Sequence, residues 1–493
     1  MKGCNIATIS ANTTAFCNGI GIDWFLNDNE TLLTNGKPGI GNLVKSDDKM
    51  SKFTDSACIL SSSDNSFTSL LETIRTHDRY RPYLGDVTDI SGIVQRLIYN
   101  RPLAFVGLSN HTSGMVTPGN PKALDHIAGP FDPCVKGTPI EKYELISLAA
   151  LVGCWSLTPI VHSGKKGSDH NMKRLREDKF FEGNKDIGNY NTEAYVCGLV
   201  GARFEKTNQM EHAYIKEGSA KNNPIHQGLR QLFEEKIALN GSKYMHTYGV
   251  SQTAINKQNL YRERIRFTFE LFLLQCYNIS TTKKELLCPV FTGLGAGVWA
   301  TNSGIGGDIN DIIEDVILSI LTDNPHYLEV FPAIRISSIK SYSDIAGPSG
   351  SISTIFNDQY KDKYGTVIDS GCSIFHTHFL QGSGQSFFTQ TELNEILGKP
   401  DVKQAFLFAW DGNSFVGNEY WYGDMRGSGD PVTVSSCCIG QLCNPFINHN
   451  MLDRIEPIIE PIIGYPSQTI NVTSGNTTGK YAIRLNEHQV FNV

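Results

Sequence analysis

Short apolar runs alternate with helical segments between residues 261 and 410, and this alternation constrains the fold more than any other sequence feature. The runs at 285–293, 333–339, 373–379 and 405–410 are typical of strands, whereas 261–277 and 307–331 carry the apolar spacing of helices. Asp and Asn stand in the first turn of the second helix, as they do at helix N-termini. Strands separated by helices predict an α/β fold, a three-layer mixed sheet with flanking helices.

The region before residue 190 gives weaker signals. Residues 1–80 are polar with short apolar clusters and predict loops, whereas 86–103 and 140–151 have helical spacing and 103–108 is typical of a strand. The chain has 493 residues, and single cores stop growing at about 250–300. We therefore predict an N-terminal α+β extension over 1–190 that binds a partner, a main domain over 191–465 and a tail over 466–493.

Two apolar runs begin the main domain. AYVCGLVGARFEK at 194–206 reads as a strand with a glycine hinge, and MEHAYIK at 210–216 reads as a second strand. Their β-branched and aromatic content predicts a hairpin at an edge of the sheet.

Charge and composition exclude several classes of protein. The net charge is -7 and no run of five or more Lys or Arg occurs, so nucleic acid is not an expected partner. No apolar stretch approaches the ~18 residues of a membrane span, and a secretory signal pattern is missing at the start. The 12 cysteines are irregularly spaced without a CxxC pair, which predicts buried thiols in a reducing, cytoplasmic compartment.

A glycine-rich turn follows the strand predicted at 285–293. FTGLGAGVW places Gly293, Gly295 and Gly297 in alternation, and their lack of side chains would let a phosphate oxygen approach successive backbone amides. The helix N-terminus nearby would favour negative charge. A tight strand-to-helix turn without a ligand explains the same letters. A Rossmann site is disfavoured, because the G-x-G-x-x-G register and the acidic ribose ligand are missing.

The strand at 405–410 leads into a segment rich in carboxylates, amides and aromatic rings. Carboxylates and amides suit ribose hydroxyls, and aromatic faces suit the rings of a sugar nucleotide. A surface loop with aromatic anchors is the alternative reading. Small residues at helical spacing predict a helix over 432–442, with Ser428 or Asp430 as its N-cap. The polar and aromatic members of the segment are Asp411, Asn413, Asn418, Glu419, Asp424, Asp430, Trp410, Phe415, Tyr420, Trp421 and Tyr422.

FAWDGNSFVGNEYW and the following GSGDPVTVSSCCIGQLCNPFIN resemble the signature of poly(ADP-ribose) glycohydrolases, which belong to the macrodomain family. In that signature a strand ends in an Asn-containing turn, passes a glycine-rich catalytic loop and enters a helix that reaches Asn-Pro. FTGLGAGVW is similar to the family's diphosphate-binding loop, which here precedes the catalytic loop, so the resemblance implies a circularly permuted macrodomain. With VGARFE and MEHAYI, the pattern over 191–465 resembles the ADP-ribosyl hydrolases that include the bacterial effector MavL and eukaryotic relatives.

The resemblance implies hydrolysis of an ADP-ribosyl linkage on a modified protein, with ubiquitin as one candidate substrate and with no cofactor or metal. A secreted effector of this kind would act in the cytosol of a host. Carboxylates would position the water and stabilise an oxocarbenium-like ribose. The family's triple glycine and paired glutamates are missing, which leaves the catalytic acid open. The implied catalytic residues are Asp411, Glu419 and Asp430, and the implied ligand-binding residues are Gly293, Leu294, Gly295, Ala296, Gly297, Val298, Trp299, Asn413, Phe415, Asn418 and Tyr420.

Three other interpretations of these residues remain open. A reader module would bind ADP-ribose without cleaving it. Each carboxylate could instead cap a helix or lie in water. Finally, Cys372, His376 and His378 in CSIFHTH could form a metal or thiol site, because residues 376 and 378 share one strand face. Two histidines on one strand face are more often hydrogen-bonded packing residues.

Overall fold

Among the residues that the structure describes, one mixed sheet of eight strands organises the fold. The computed structural model describes residues 52–53, 55–99, 101, 143–160, 192–204, 211, 223–240, 244, 252–296, 305, 307–337, 372–377, 394, 397–410, 439–443, 451, 454–458, 469–474 and 477–482. The strands are β1 (Cys58–Ser62), β2 (Gly153–Ile160), β3 (Thr192–Leu199), β4 (Leu287–Thr292), β5 (Ala333–Ser337), β6 (Ser373–Thr377), β7 (Lys403–Ala409), β8 (Ile455–Ile458), β9 (Thr469–Ser474) and β10 (Thr477–Ala482).

The strand order in the sheet is β6-β5-β4-β7-β3-β2-β1-β8. The five strands from β6 to β3 run parallel to one another, whereas β2 is antiparallel to both β3 and β1, and β8 is parallel to β1. β9 and β10 form a separate antiparallel pair. The predicted α/β class with a mixed sheet is confirmed.

The helices lie between the strands and on both faces of the sheet. On β2, Trp155 faces one layer, with its ring centroid 6.5 Å from that of Phe272. Its neighbour Cys154 belongs to the opposite face and pairs with Gly198, where an added Cβ would lie 3.7 Å from Ile439. The predicted three layers are therefore confirmed. The helices are α1 (Asn65–Arg75), α2 (Arg81–Leu84), α3 (Ile90–Tyr99), α4 (Tyr143–Ala149), α5 (Pro224–Asn240), α6 (Gln252–Lys283), α7 (Ile309–Asp323), α8 (His326–Val330) and α9 (Ile439–Leu442).

The longest helix, α6, lies in the interior. It spans 32 residues, and the side chains between 258 and 277 are buried on nearly every side, including those of Arg262, Glu263 and Arg264. The sequence predicts an amphipathic helix over 261–277, with charges early and a broad apolar face later. The helix is confirmed, and the structure buries its early charges as well. None of the helices in the described ranges combines sufficient length with sufficient apolarity to span a bilayer.

The predicted loops in the first 80 residues are wrong for residues 58–75. β1 is buried throughout between β2 and β8. α1 begins after Asp64, whose carboxylate accepts hydrogen bonds from the amides of Ser66 (2.9 Å) and Phe67 (3.1 Å). This is an ordinary N-cap, and the helix buries the side chains of Phe67, Leu70, Leu71 and Ile74.

The predicted hairpin at 194–216 is also wrong. β3 lies inside the sheet between β2 and β7, and Glu211 has helical backbone geometry. β2 and β3 stand on either side of the predicted domain boundary near residue 190 and are hydrogen-bonded neighbours over seven registered pairs. The boundary itself stays a prediction, because residues 161–191 lie outside the described ranges.

Candidate active site

Three parallel strands in the centre of the sheet end at one edge. β3, β7 and β4 are consecutive neighbours and run in the same direction, so the segments that follow them emerge side by side. Two hydrogen bonds tie these ends together: the Trp410 amide donates to the Leu199 carbonyl (3.0 Å), and Thr292 Oγ1 donates to the Leu407 carbonyl (2.9 Å). Ligands of open α/β sheets bind at edges of this kind.

The glycine turn after β4 reaches the segment after β3 and contacts it closely. Gly295 has a φ of 77°, a left-handed conformation that favours glycine. A Cβ at Gly295 would lie 2.5 Å from the Ala202 carbonyl oxygen, and a Cβ at Gly201 would lie 2.6 Å from the Gly295 nitrogen. Since β7 lies between β3 and β4, the two turns meet beyond the end of β7. Glycine is therefore required here by packing, whether or not a ligand binds.

Two of the amides in this turn have acceptors inside the protein. Leu294 N–H donates to the Thr292 carbonyl (2.8 Å), and Ala296 N–H donates to the Gly293 carbonyl (3.0 Å). The sequence predicts that successive amides of this turn bind one anion. In the described part of the turn, only the amides of Gly293 and Gly295 remain available for that role. Gly297, Val298 and Trp299, the other predicted ligand-binding residues of this turn, lie outside the described residues.

The helix predicted to follow the turn is confirmed as α7. Its N-cap is Asp308, whose carboxylate accepts a hydrogen bond from the Asn310 amide (2.8 Å), and Asp311 stands in the first turn. These carboxylates already satisfy the positive end of the helix dipole. The N-terminus of α7 therefore offers less attraction to an external anion than the sequence-based prediction assumes.

A buried ion pair fixes the segment after β3. Arg264 on α6 donates through Nε to Glu211 (3.0 Å) and through Nη2 to the carbonyls of Val200 and Ala150 (both 3.1 Å). The other carboxylate oxygen of Glu211 accepts from the Arg203 amide (2.9 Å). Both partners are almost fully buried. Burial raises the pKa of Glu211, while Arg264 and the backbone donor oppose that shift.

This ion pair was not predicted from the sequence. Arg264 belongs to YRERIRF, which resembles a polar helix start, and Glu211 belongs to a run predicted as a strand. The sequence does contain a signal for the burial of Arg264, because the apolar residues Ile265, Phe267 and Phe269 follow it closely. A charge inside such a run is more often paired and buried than solvated.

The residues predicted to act on the ribose lie beyond Trp410, outside the described ranges. The structure places only the start of that segment, at the end of β7 beside the glycine turn. The short helix α9 lies within the predicted helix at 432–442, and its Ile439 is fully buried. The predicted site residues of this segment, all outside the described ranges, are Asp411, Asn413, Phe415, Asn418, Glu419, Tyr420 and Asp430.

The metal or thiol interpretation gains no support in the described part of the chain. Cys372 is buried just before β6, and burial raises the pKa of its thiol to about 12. β6 is an edge strand, separated from β3 by β5, β4 and β7. His378 and the side chain of His376 lie outside the described set, and within that set no three potential ligands converge.

Comparison with known proteins indicates which reaction a site at this edge of the sheet could catalyse. Residues 222–455 match the family described as ADP-ribosylhydrolase MavL-like. The chain resembles ADP-ribosyl hydrolases. Drosophila melanogaster ADP-ribosylarginine hydrolase CG3568 is 23% identical over 411 residues, which cover 78% of this chain and 73% of that protein. Drosophila melanogaster ADP-ribosylarginine hydrolase CG2909 is 44% identical over 341 residues, 63% of this chain and 59% of that protein. Together these matches support an ADP-ribosyl hydrolase.

The family match covers only part of the sheet. It begins next to Asn223, which caps α5, and it ends at Ile455, the first residue of β8. β4 and β7, whose carboxyl ends form the candidate site, lie inside it, whereas β1, β2 and β3 lie before it. The segment after β3, which contacts Gly295, is therefore contributed from outside the matched region.

A glycine substitution tests whether the contact between the two turns is needed. Gly295→Ala adds left-handed strain and a Cβ 2.5 Å from the Ala202 oxygen, so we expect it to lower the free energy of unfolding by about 2–4 kcal/mol. Gly398→Ala is the matched control, because Gly398 also has a positive φ of 58° but an added Cβ meets nothing within 4 Å. Its expected cost is about 1 kcal/mol. Equal losses for the two variants in urea unfolding would contradict the close contact.

Proposed function

We propose that this protein hydrolyses the bond between ADP-ribose and an arginine side chain of a modified protein. The observation that carries the proposal is the similarity to two ADP-ribosylarginine hydrolases together with the family match over 222–455. The meeting of the β3, β4 and β7 ends supports it, since a long ligand such as ADP-ribose needs contacts from several neighbouring strand ends.

In the proposed reaction, the segment after β7 and the glycine turn after β4 have different roles. Hydrolysis breaks the bond between C1 of the distal ribose and a guanidinium nitrogen, and the water oxygen forms the new bond to that carbon. The proton that the water loses ends on the released arginine. Asp411 and Glu419 are proposed to position the water and take up its proton, with Asp430 as a helper. The amides of Gly293 and Gly295 are proposed to bind the diphosphate.

We infer that the fold is a circularly permuted macrodomain of the kind found in poly(ADP-ribose) glycohydrolases. The support is the order of the two segments. β4 and β7 are neighbours in the sheet, so the segments that follow them leave the sheet side by side. In the chain, the glycine turn after β4 comes before the polar segment after β7, which is the reverse of the order in that family. We also propose a cytosolic location. The seven cysteines within the described ranges are buried, and burial raises the thiol pKa of Cys197 and Cys276 well above the usual value, as expected of structural thiols.

The decisive experiment compares linkages. Purified protein is incubated with proteins carrying mono-ADP-ribose on arginine, on serine and on glutamate, and with ADP-ribosylated ubiquitin, and the released ADP-ribose is measured. We expect release from arginine at a rate at least about 100-fold above that from serine, because a guanidine and a hydroxyl leave the ribose with different proton requirements. Release from serine alone would overturn the arginine assignment. Calorimetric binding of ADP-ribose without any release would favour a reader instead.

A further inference from the structure

A buried arginine outside the family match lies against the first residue of the proposed catalytic segment. Arg101 follows α3 and is 1% exposed. The centre of its guanidinium is 3.8 Å from the centroid of the Trp410 ring, which is itself 2% exposed. This distance is well inside the ~6 Å range of cation–π contacts, and Arg guanidinium planes stack on aromatic rings.

The remaining edges of the guanidinium hold the backbone of two helices. Nε donates to the carbonyl of Leu97 in α3 (2.8 Å), and Nη2 donates to the carbonyls of Ala149, at the end of α4, and Val152 (3.2 Å for the latter). Helix C-termini leave carbonyls without internal donors. Arg101 thus caps α3 and α4, and these caps hold the plane of the guanidinium over Trp410.

The charge of Arg101 has no carboxylate partner among the described residues. Burial lowers the pKa of the guanidinium to about 9, and the titratable group that acts on it from the described elements is the Cys154 thiol of β2. The side chain therefore remains protonated at neutral pH. Nη1 has no hydrogen-bond acceptor within the described set.

Trp410 in turn connects Arg101 to the strand ends. Its amide donates to the Leu199 carbonyl, and its ring carbon Cε3 would lie 3.7 Å from a Cβ at Gly198. The indole ring therefore lies close both to the end of β3 and to the Arg101 guanidinium. The backbone that leaves Trp410 begins the segment that carries Asp411.

We propose that Arg101 is a positioning residue of the hydrolytic site, which holds Trp410 against the end of β3 and thereby sets where the segment beginning at Asp411 leaves the sheet. This inference rests on the proposed function. Arg101 acts through Trp410 and does not contact the substrate. Its effect belongs to the chemical step, because a displacement of about 1 Å in a catalytic group costs on the order of 100-fold in rate.

The test separates capping from stacking by a conservative substitution. Arg101→Lys keeps a positive charge and can still donate to one or two of the carbonyls, but an ammonium has no plane with which to stack on Trp410. We expect kcat on arginine-linked substrate to fall at least about tenfold while KM changes less than about threefold, as it does when ground-state binding is kept. The thermal midpoint should stay within a few degrees of the wild-type value. Trp410→Leu should lower kcat similarly, and the double variant should lose little more than either single variant.

A second buried arginine provides the matched control. Arg335 on β5 is fully buried, donates to Gln404 (3.0 Å) and has its guanidinium 6.0 Å from the Phe406 ring centroid. Arg335→Lys is expected to leave kcat unchanged. Wild-type kcat in Arg101→Lys, additive losses with Trp410→Leu, or an equal loss in Arg335→Lys would each overturn the inference alone. No turnover by the wild-type protein on any linkage would overturn the proposed function and this inference with it.

Discussion

Asp411→Asn is expected to lower kcat for ADP-ribosylarginine hydrolysis by about 10²–10⁴, the range typical of a lost general base or acid. An amide cannot take up the proton of the attacking water, although it keeps the size of the carboxylate and one of its two acceptor oxygens. The dissociation constant for ADP-ribose should change by less than about threefold, since a group that acts in the transition state contributes little to ground-state binding. The measurements are initial rates of ADP-ribose release and calorimetric titration.

The same substitution at neighbouring carboxylates identifies which group carries the chemistry. Glu419→Gln is expected to have an effect of similar size, because Glu419 is proposed to act on the same water as Asp411. Asp424→Asn is the control, since Asp424 lies in the same acidic segment and is assigned no catalytic role. Equal and small effects at all three positions would remove the catalytic assignment from this segment. A large rise in the dissociation constant without a change in kcat would make Asp411 a ribose ligand instead.

Breaking the buried ion pair is expected to have the largest effect on stability. Arg264→Met leaves the Glu211 carboxylate buried without its cation and removes the donors from the Val200 and Ala150 carbonyls. Removing one partner of such a pair costs about 3–5 kcal/mol. Adding Glu211→Leu to this variant should recover part of the loss, because no uncompensated charge then remains. Urea unfolding of the two variants measures both quantities.

An exposed pair on α5 is the control for that experiment. Arg230 and Glu234 are one helical turn apart, with a nitrogen–oxygen distance of 2.7 Å, and their side chains are 29% and 59% exposed. Arg230→Met should cost less than about 0.5 kcal/mol, because solvent screens the pair. A cost for Arg264→Met no larger than this would show that the buried network does not hold the segment after β3. Recovery of stability in the double variant without recovery of activity would indicate that the pair also positions that segment.

The helices and strands that were predicted correctly share one property. The apolar and polar positions that define each of them lie within one continuous stretch of sequence. α7 shows its apolar positions and its Asp308 cap in consecutive letters, and β4 and β7 are short apolar runs that are bounded by polar or glycine residues. The same letters indicated the glycine turn, and Gly295 indeed has the left-handed conformation that only glycine adopts without strain. The composition also predicted buried cysteines, and those within the described ranges are buried.

Other parts of the fold depended on contacts between distant segments. β1 is a five-residue run within polar sequence, and it is a strand because β2 and β8, from residues 153 and 455 onward, supply its hydrogen-bond partners. Arg264 looks like a solvated charge until Glu211 and two carbonyls from other segments surround it. The stacking of Arg101 on Trp410 joins residues 309 positions apart in the numbering. The periodicity of a sequence shows which face of a helix or strand is apolar. Which neighbouring element covers that face, and whether that neighbour brings a charged partner, is decided only by the tertiary structure.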